Sequence, residues 1–82
     1  MEYKIEFKPK AIKDLKRIDK KSQNLIIRRI EKMSDNLYGD VKRLTNYTPE
    51  YRLRVGTYRV LFEVDDNTII IFTVFNRRES YR

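Results

Sequence analysis

Beginning at Tyr51, the chain carries three short apolar-patterned runs held apart by two turns, and this fixes most of what it can become. Tyr51, Leu53 and Val55 alternate with Arg52 and Arg54, Gly56 supplies a turn, and a second run extends from Val60 to Val64. Asp65-Asp66-Asn67 is the next turn, and a third run spans Thr68 to Phe75. Successive strand side chains point to opposite faces, so the first run puts its two arginines on one side and its apolar residues on the other. Connections this short join antiparallel neighbours, giving a three-stranded meander. In the last run Ile69, Ile71 and Thr73 form one side and Ile70, Phe72 and Val74 the other. Apolar on both sides, it is expected to be the central strand, covered on both faces.

The first half of the chain changes period. Tyr3, Ile5 and Phe7 alternate with Glu2, Lys4 and Glu6, the pattern of a half-buried strand. Pro9 suits the first turn of a helix, where its missing N–H costs nothing. Ile12, Leu15 and Ile18 then recur every three residues as a narrow stripe among lysines. Ser22 is expected to cap a second helix, in which Ile26, Ile30, Met33 and Leu37 mark an apolar face. Asp19-Lys20-Lys21 links the two helices as a hairpin, Gly39-Asp40 ends the second, and residues 40–50 read as a loop. The order of strand, two helices and three strands describes a single α+β domain over residues 1–82, with both helices packed on one sheet face.

The 82 residues leave room for a thin core, so any site must lie on the surface of this one fold. Cysteine and histidine are both absent, which excludes disulfides, thiolate nucleophiles and imidazole chemistry and leaves Arg, Lys, Tyr, Asp and Glu. No cofactor or metal site is read from the sequence. No stretch is apolar enough to cross a membrane, and the N-terminus lacks the pattern of a signal peptide, so a cytoplasmic protein is expected. The formal charge of +7 points to a polyanionic partner.

That charge is concentrated where chemistry is possible. A solubilising sheet face would account for Arg52 and Arg54 taken alone. Arg59 joins them from the next strand, no acidic residue lies between Tyr51 and Arg59, and Arg77 and Arg78 follow the last strand. After Arg43 the basic residues are all arginine, whose planar fork binds phosphate oxygens bidentately. Tyr58 and Tyr81 flank the group, and aromatic faces among arginines are what single-stranded RNA recognition uses. The lysines of the first helix read as a solvated face. Glu50, Glu63 and Glu79 are the nearby carboxylates.

Nearly the whole chain resembles the RelE toxin superfamily of toxin–antitoxin pairs. The resemblance is sharpest in Tyr51-Arg52-Leu53-Arg54-Val55-Gly56-Thr57-Tyr58-Arg59-Val60 and in the ending Asn76-Arg77-Arg78-Glu79-Ser80-Tyr81-Arg82. It implies a metal-independent endoribonuclease that cuts mRNA on the ribosome through attack of the 2′-hydroxyl on the adjacent phosphate, arresting translation and growth. By that resemblance Arg59, Arg77, Tyr81 and Arg54 would be catalytic. Arg59 would stabilise the phosphate, Arg77 would act there or at the leaving group, and Tyr81 would stack on or orient the base. Arg52, Arg54, Arg78 and Tyr58 would bind RNA. The implied partners are a small antitoxin that wraps the toxin, the ribosome with its mRNA, and operator DNA through the toxin–antitoxin complex.

Two departures from the family pattern stand out. Arg52 and Arg54 occupy positions where the nucleases often have lysines, one a proposed base, and Asn76 stands where a histidine is usual. A guanidinium stays protonated, which leaves proton removal to the ribosome, a water or a carboxylate such as Glu50. Two alternatives share the fold: a ParE-like inhibitor of DNA gyrase that performs no chemistry, and an inactive basic nucleic-acid-binding domain.

Overall fold

A computed structural model describes residues 2–78. The elements run β1 (Lys4–Phe7), α1 (Pro9–Lys16), α2 (Lys20–Lys32), β2 (Val41–Arg43), β3 (Tyr51–Val55), β4 (Tyr58–Asp65) and β5 (Thr68–Asn76). They build a five-stranded sheet in the order β1-β5-β4-β3-β2. β1 runs parallel to β5, and the other neighbours are antiparallel. The α+β reading holds, with both helices against one face. There Ala11, Leu15, Ile26, Ile30 and Met33 form one buried cluster with Leu53, Val55, Val60, Phe62, Ile69, Ile71 and Val74. Each large aliphatic or aromatic side chain in it contributes roughly 1.5–3 kcal/mol by leaving water. Tyr51 and Phe62, paired across β3 and β4, stack with ring centroids 5.4 Å apart.

The helices differ in detail from their periodicity. In α1 the buried pair is Ala11 and Leu15, whereas Ile12 is 44% exposed and Ile18 lies beyond the last turn. α2 is capped by Asp19, whose carboxylate accepts the Ser22 N–H at 3.0 Å, so Ser22 is the capped residue and not the cap. An aspartate one turn earlier offers the orphan N–H groups a stronger acceptor than a serine hydroxyl. The same bonds hold the Asp19 carboxyl below its ordinary value. Arg29 and Lys32 in the last turn of α2 suit the negative end of its dipole.

α2 stops at Lys32 and does not reach Leu37. Asn36 and Leu37 take left-handed φ values of 55° and 59°, which no helix accommodates. Leu37 still packs against the core from this turn. The apolar spacing thus reported burial correctly and helix wrongly. Gly39 follows at φ 132°, where an added Cβ would come 3.1 Å from Leu53 Cδ1.

The segment 40–50, read as a loop, contains the edge strand β2. Its three residues pair with β3 as Val41↔Leu53, Lys42↔Arg52 and Arg43↔Tyr51. The centre of the sheet is β4, and β5 lies between it and β1. A register shift at Leu61/Phe62 places Phe62 opposite Ile71 but Leu61 opposite Thr73. Phe72 is therefore the extra residue of a bulge, and side-chain parity reverses across it. Val74 consequently joins Ile69 and Ile71 in the core, and Thr73 does not. On the sheet's other face Ile70 and Phe72 are only half-buried, so β5 is not fully covered on both sides. Lys8 Nζ lies 4.8 Å from the centre of the Phe72 ring, a cation–π contact.

Asp14 closes a gap in this framework. β1 pairing ends at Phe7↔Ile71, which leaves the edge of β5 open beyond that point. Asp14 of α1 covers it, its Oδ2 accepting from Thr73 Oγ1 at 2.6 Å and from the Val74 N–H at 3.0 Å. Lys10 Nζ stands 3.2 Å from Asp14 Oδ1. Desolvation pushes the Asp14 carboxyl up, but the bonds from Thr73, Val74 and Lys10 outweigh it and leave the group below its ordinary value.

Candidate nucleic-acid interface

The face of the sheet opposite the helices carries the arginines. Leu53 and Val55 turn into the core, so strand alternation turns Arg52 and Arg54 to this side. Arg54 is the direct cross-strand partner of Arg59, which in turn pairs with Phe75 on β5. Arg52 sits opposite Leu61, which is only 9% exposed. The aliphatic part of an arginine is well suited to shielding such a neighbour.

Like charges directly opposite on paired strands repel by up to about 1 kcal/mol. Two arrangements temper that cost here. The Arg59 guanidinium folds back, its Nη1 donating to the carbonyls of Gly56 and Tyr58, both at 3.0 Å. Asp40 meets the β3 arginines from the other side. Its Oδ2 lies 2.9 Å from Arg54 Nε and its Oδ1 3.7 Å from Arg52 Nη2. The acid missing between Tyr51 and Arg59 in the sequence is thus supplied through the β2–β3 pairing. Arg52 Nε is buried without a hydrogen-bond partner.

The β3–β4 turn gathers the rest. Gly56 adopts φ 58°, which suits the first position of a tight hairpin turn. The Arg77 N–H donates to the Thr57 carbonyl at 2.7 Å, anchoring the segment after β5 beside this turn. Arg78 N–H donates to Asn76 Oδ1 at 3.0 Å, and both Arg77 and Arg78 are exposed. Arg54, Arg59 and the Arg77 backbone therefore lie at one end of the sheet, with Arg52 one strand pleat away.

Tyr58 is not brought to this face. It shares parity with Val60 and Phe62, packs against the core, and lines a cleft with Lys10, Asp14 and Arg17 on the helix side. That position follows from alternation along β4 and was readable from the sequence. Glu50 pairs with Arg43 at 3.3 Å, at the opposite end of β3 from Arg54. Tyr81 lies outside the described residues, as does Glu79. Among the described residues no group of three or more acidic, cysteine or histidine side chains could hold a metal, and no helix is long and apolar enough to cross a membrane.

The family model for the ParE toxin of the parDE type II toxin–antitoxin system matches residues 5–81. This chain belongs to the RelE/ParE superfamily of type II toxins. Toxin RelE3 of Methanocaldococcus jannaschii is 35% identical to it over 83 residues, covering 95% of this chain and 94% of that toxin. The crystal structure of a RelB–RelE antitoxin–toxin complex from Methanococcus jannaschii superposes with a TM-score of 0.78 at 34% identity, over 93% of this chain and 94% of that one. A YoeB dimer from Staphylococcus aureus gives a TM-score of 0.69 at 29% identity, over 89% and 94% of the two chains.

Proposed function

We propose that this toxin is an endoribonuclease that cuts mRNA on the ribosome without a metal ion. The observation carrying this reading is the meeting of Arg54, Arg59 and the Arg77 backbone at the β3–β4 turn. A cluster held by backbone bonds on a rigid sheet suits a phosphodiester whose charge grows during attack by the neighbouring 2′-hydroxyl. Arg59, already oriented by the Gly56 and Tyr58 carbonyls, would stabilise the phosphorane oxygens. Arg77 would act on the same phosphate or its leaving oxygen, and Tyr81 would orient the base. Arg52 and Arg78 would hold flanking phosphates. Tyr58, packed on the opposite face, would contribute by positioning Arg59 through its carbonyl, not by stacking on RNA.

A small antitoxin would neutralise the toxin by covering this arginine face, as complexes of RelB with RelE make reasonable, and the pair would bind operator DNA. The toxin would act in the cytoplasm, where ribosomes are. A second reading is favoured by the ParE description of the matching family model: a toxin that binds DNA gyrase and performs no chemistry. Mapping mRNA 5′ ends in cells expressing the toxin separates the two. Cuts phased to codons in translated messages are expected. Intact messages accompanied by DNA damage would establish the gyrase reading instead.

A further inference from the structure

The proposed cleavage needs a group to take the proton from the attacking 2′-hydroxyl, and a guanidinium cannot do so. Asp40 stands where such a group is required. It immediately precedes β2 and lies across from Arg54, whose N–H donates to the Asp40 carbonyl at 3.0 Å. One row across the open face therefore reads Asp40, Arg54, Arg59. With strands about 4.8 Å apart, the outer members of the row are separated by roughly 10 Å at the backbone. That span accommodates a phosphodiester and its ribose. An arginine engaged through Nε still presents its terminal Nη groups to a second anion.

Among the described residues, the other carboxylates near the arginines are poorly placed. Glu50 is tied to Arg43, and four residues of strand, about 13 Å, separate it from Arg54. Glu63 lies a similar distance along β4 from Arg59. Asp14 is committed to Thr73, Val74 and Lys10 at the far edge of β5.

We propose that Asp40 is the general base of this reaction, an inference that rests on the nuclease reading. Its carboxylate takes the proton of the 2′-hydroxyl while that oxygen bonds to phosphorus. The bond from phosphorus to the 5′-oxygen breaks with its electron pair, and the departing oxygen takes a proton from solvent water. The products are a 2′,3′-cyclic phosphate and a 5′-hydroxyl, and Asp40 returns its proton to solvent. Among the described residues, the charged side chains nearest Asp40 are Arg52 and Arg54 on β3, with Lys42 two residues on in β2 and Arg59 at the far end of the row on β4.

The test is single-turnover cleavage of mRNA on programmed ribosomes by the parent, Asp40→Asn, Asp40→Glu and Arg59→Ala proteins, each measured across pH. Asp40→Asn is expected to cut about 10²-fold more slowly at saturating ribosome, with unchanged ribosome affinity. Asp40→Glu should recover part of that rate. The parent rate should fall with one-proton dependence at acid pH, and the Asn variant should lose that limb. If the Asn variant keeps the limb, or only its affinity changes, Asp40 merely orients Arg54 and the proposal is wrong. If it cuts at the parent rate while Arg59→Ala does not, Asp40 is again excluded and the nuclease reading survives. A parent protein that cuts nothing removes both.

Discussion

The two faces of the sheet are built from alternate residues of the same strands, yet they solve opposite problems. On the helix side Leu53, Val55, Val60 and Phe62 are essentially inaccessible and are held by packing alone. On the other side Arg52, Arg54 and Arg59 bring like charges together, with the Asp40 carboxylate and the Gly56 and Tyr58 carbonyls among the groups that temper it. The first face gains free energy from every residue in place. The second accepts a local electrostatic cost that an anionic ligand would reverse. Stability and function should therefore separate cleanly between them.

Substitutions at four positions can break that separation, and they are ordered by expected effect on stability. Phe62→Ala, at the centre of the sheet, should cost about 3–5 kcal/mol in chemical denaturation, enough to unfold much of a domain this small. A loss below about 1 kcal/mol would mean that the helix side is not where the stability lies.

Asp14→Ala comes next. It strips the Val74 N–H and the Thr73 hydroxyl of their acceptor, at a cost of about 1–3 kcal/mol. Because the folded-state carboxyl sits below its unfolded value near 3.8, its stabilisation is complete above that value and disappears as pH falls through the folded value. The parent should therefore lose more stability than Asp14→Asn between about pH 5 and pH 2. Parallel curves would remove Asp14 from this role.

The open face comes last. Arg59→Ala should change the unfolding free energy by less than about 0.5 kcal/mol, since relief of the Arg54 repulsion offsets the lost backbone bonds. Under the nuclease reading it should lower cleavage by about 10²–10³-fold. Arg52→Ala should likewise leave the fold intact and reduce the salt dependence of ribosome or RNA binding by about one phosphate contact. A large loss of stability in either variant would show that the arginines hold the sheet together.

What the sequence could reveal follows the same division. The faces of β3, the two helices, the Gly56 turn and the arginine cluster were legible because each depends on residues close together in the chain. The bulge at Phe72 was not, because it is a register relation between β4 and β5. It moved Val74 into the core against simple alternation. The Asp40–Arg54 pair was also hidden, since it needs an edge strand of three residues that carries little apolar signal. Leu37 shows a different limit: four-residue spacing reports a shared direction of burial, which a left-handed turn can also provide. Tyr58 is the exception, for its parity with Val60 and Phe62 already placed it on the helix side.

The parallel pairing of β1 with β5 has a consequence for how the toxin is made. Lys4 finds its partner at Thr68, so the earliest strand must wait for the last before its edge is filled. Contacts of such long sequence separation are entropically costly to close and slow to form. Closing the sheet at β1 is therefore a late event in folding, whereas the β3–β4 and β4–β5 hairpins form from residues close together in the chain.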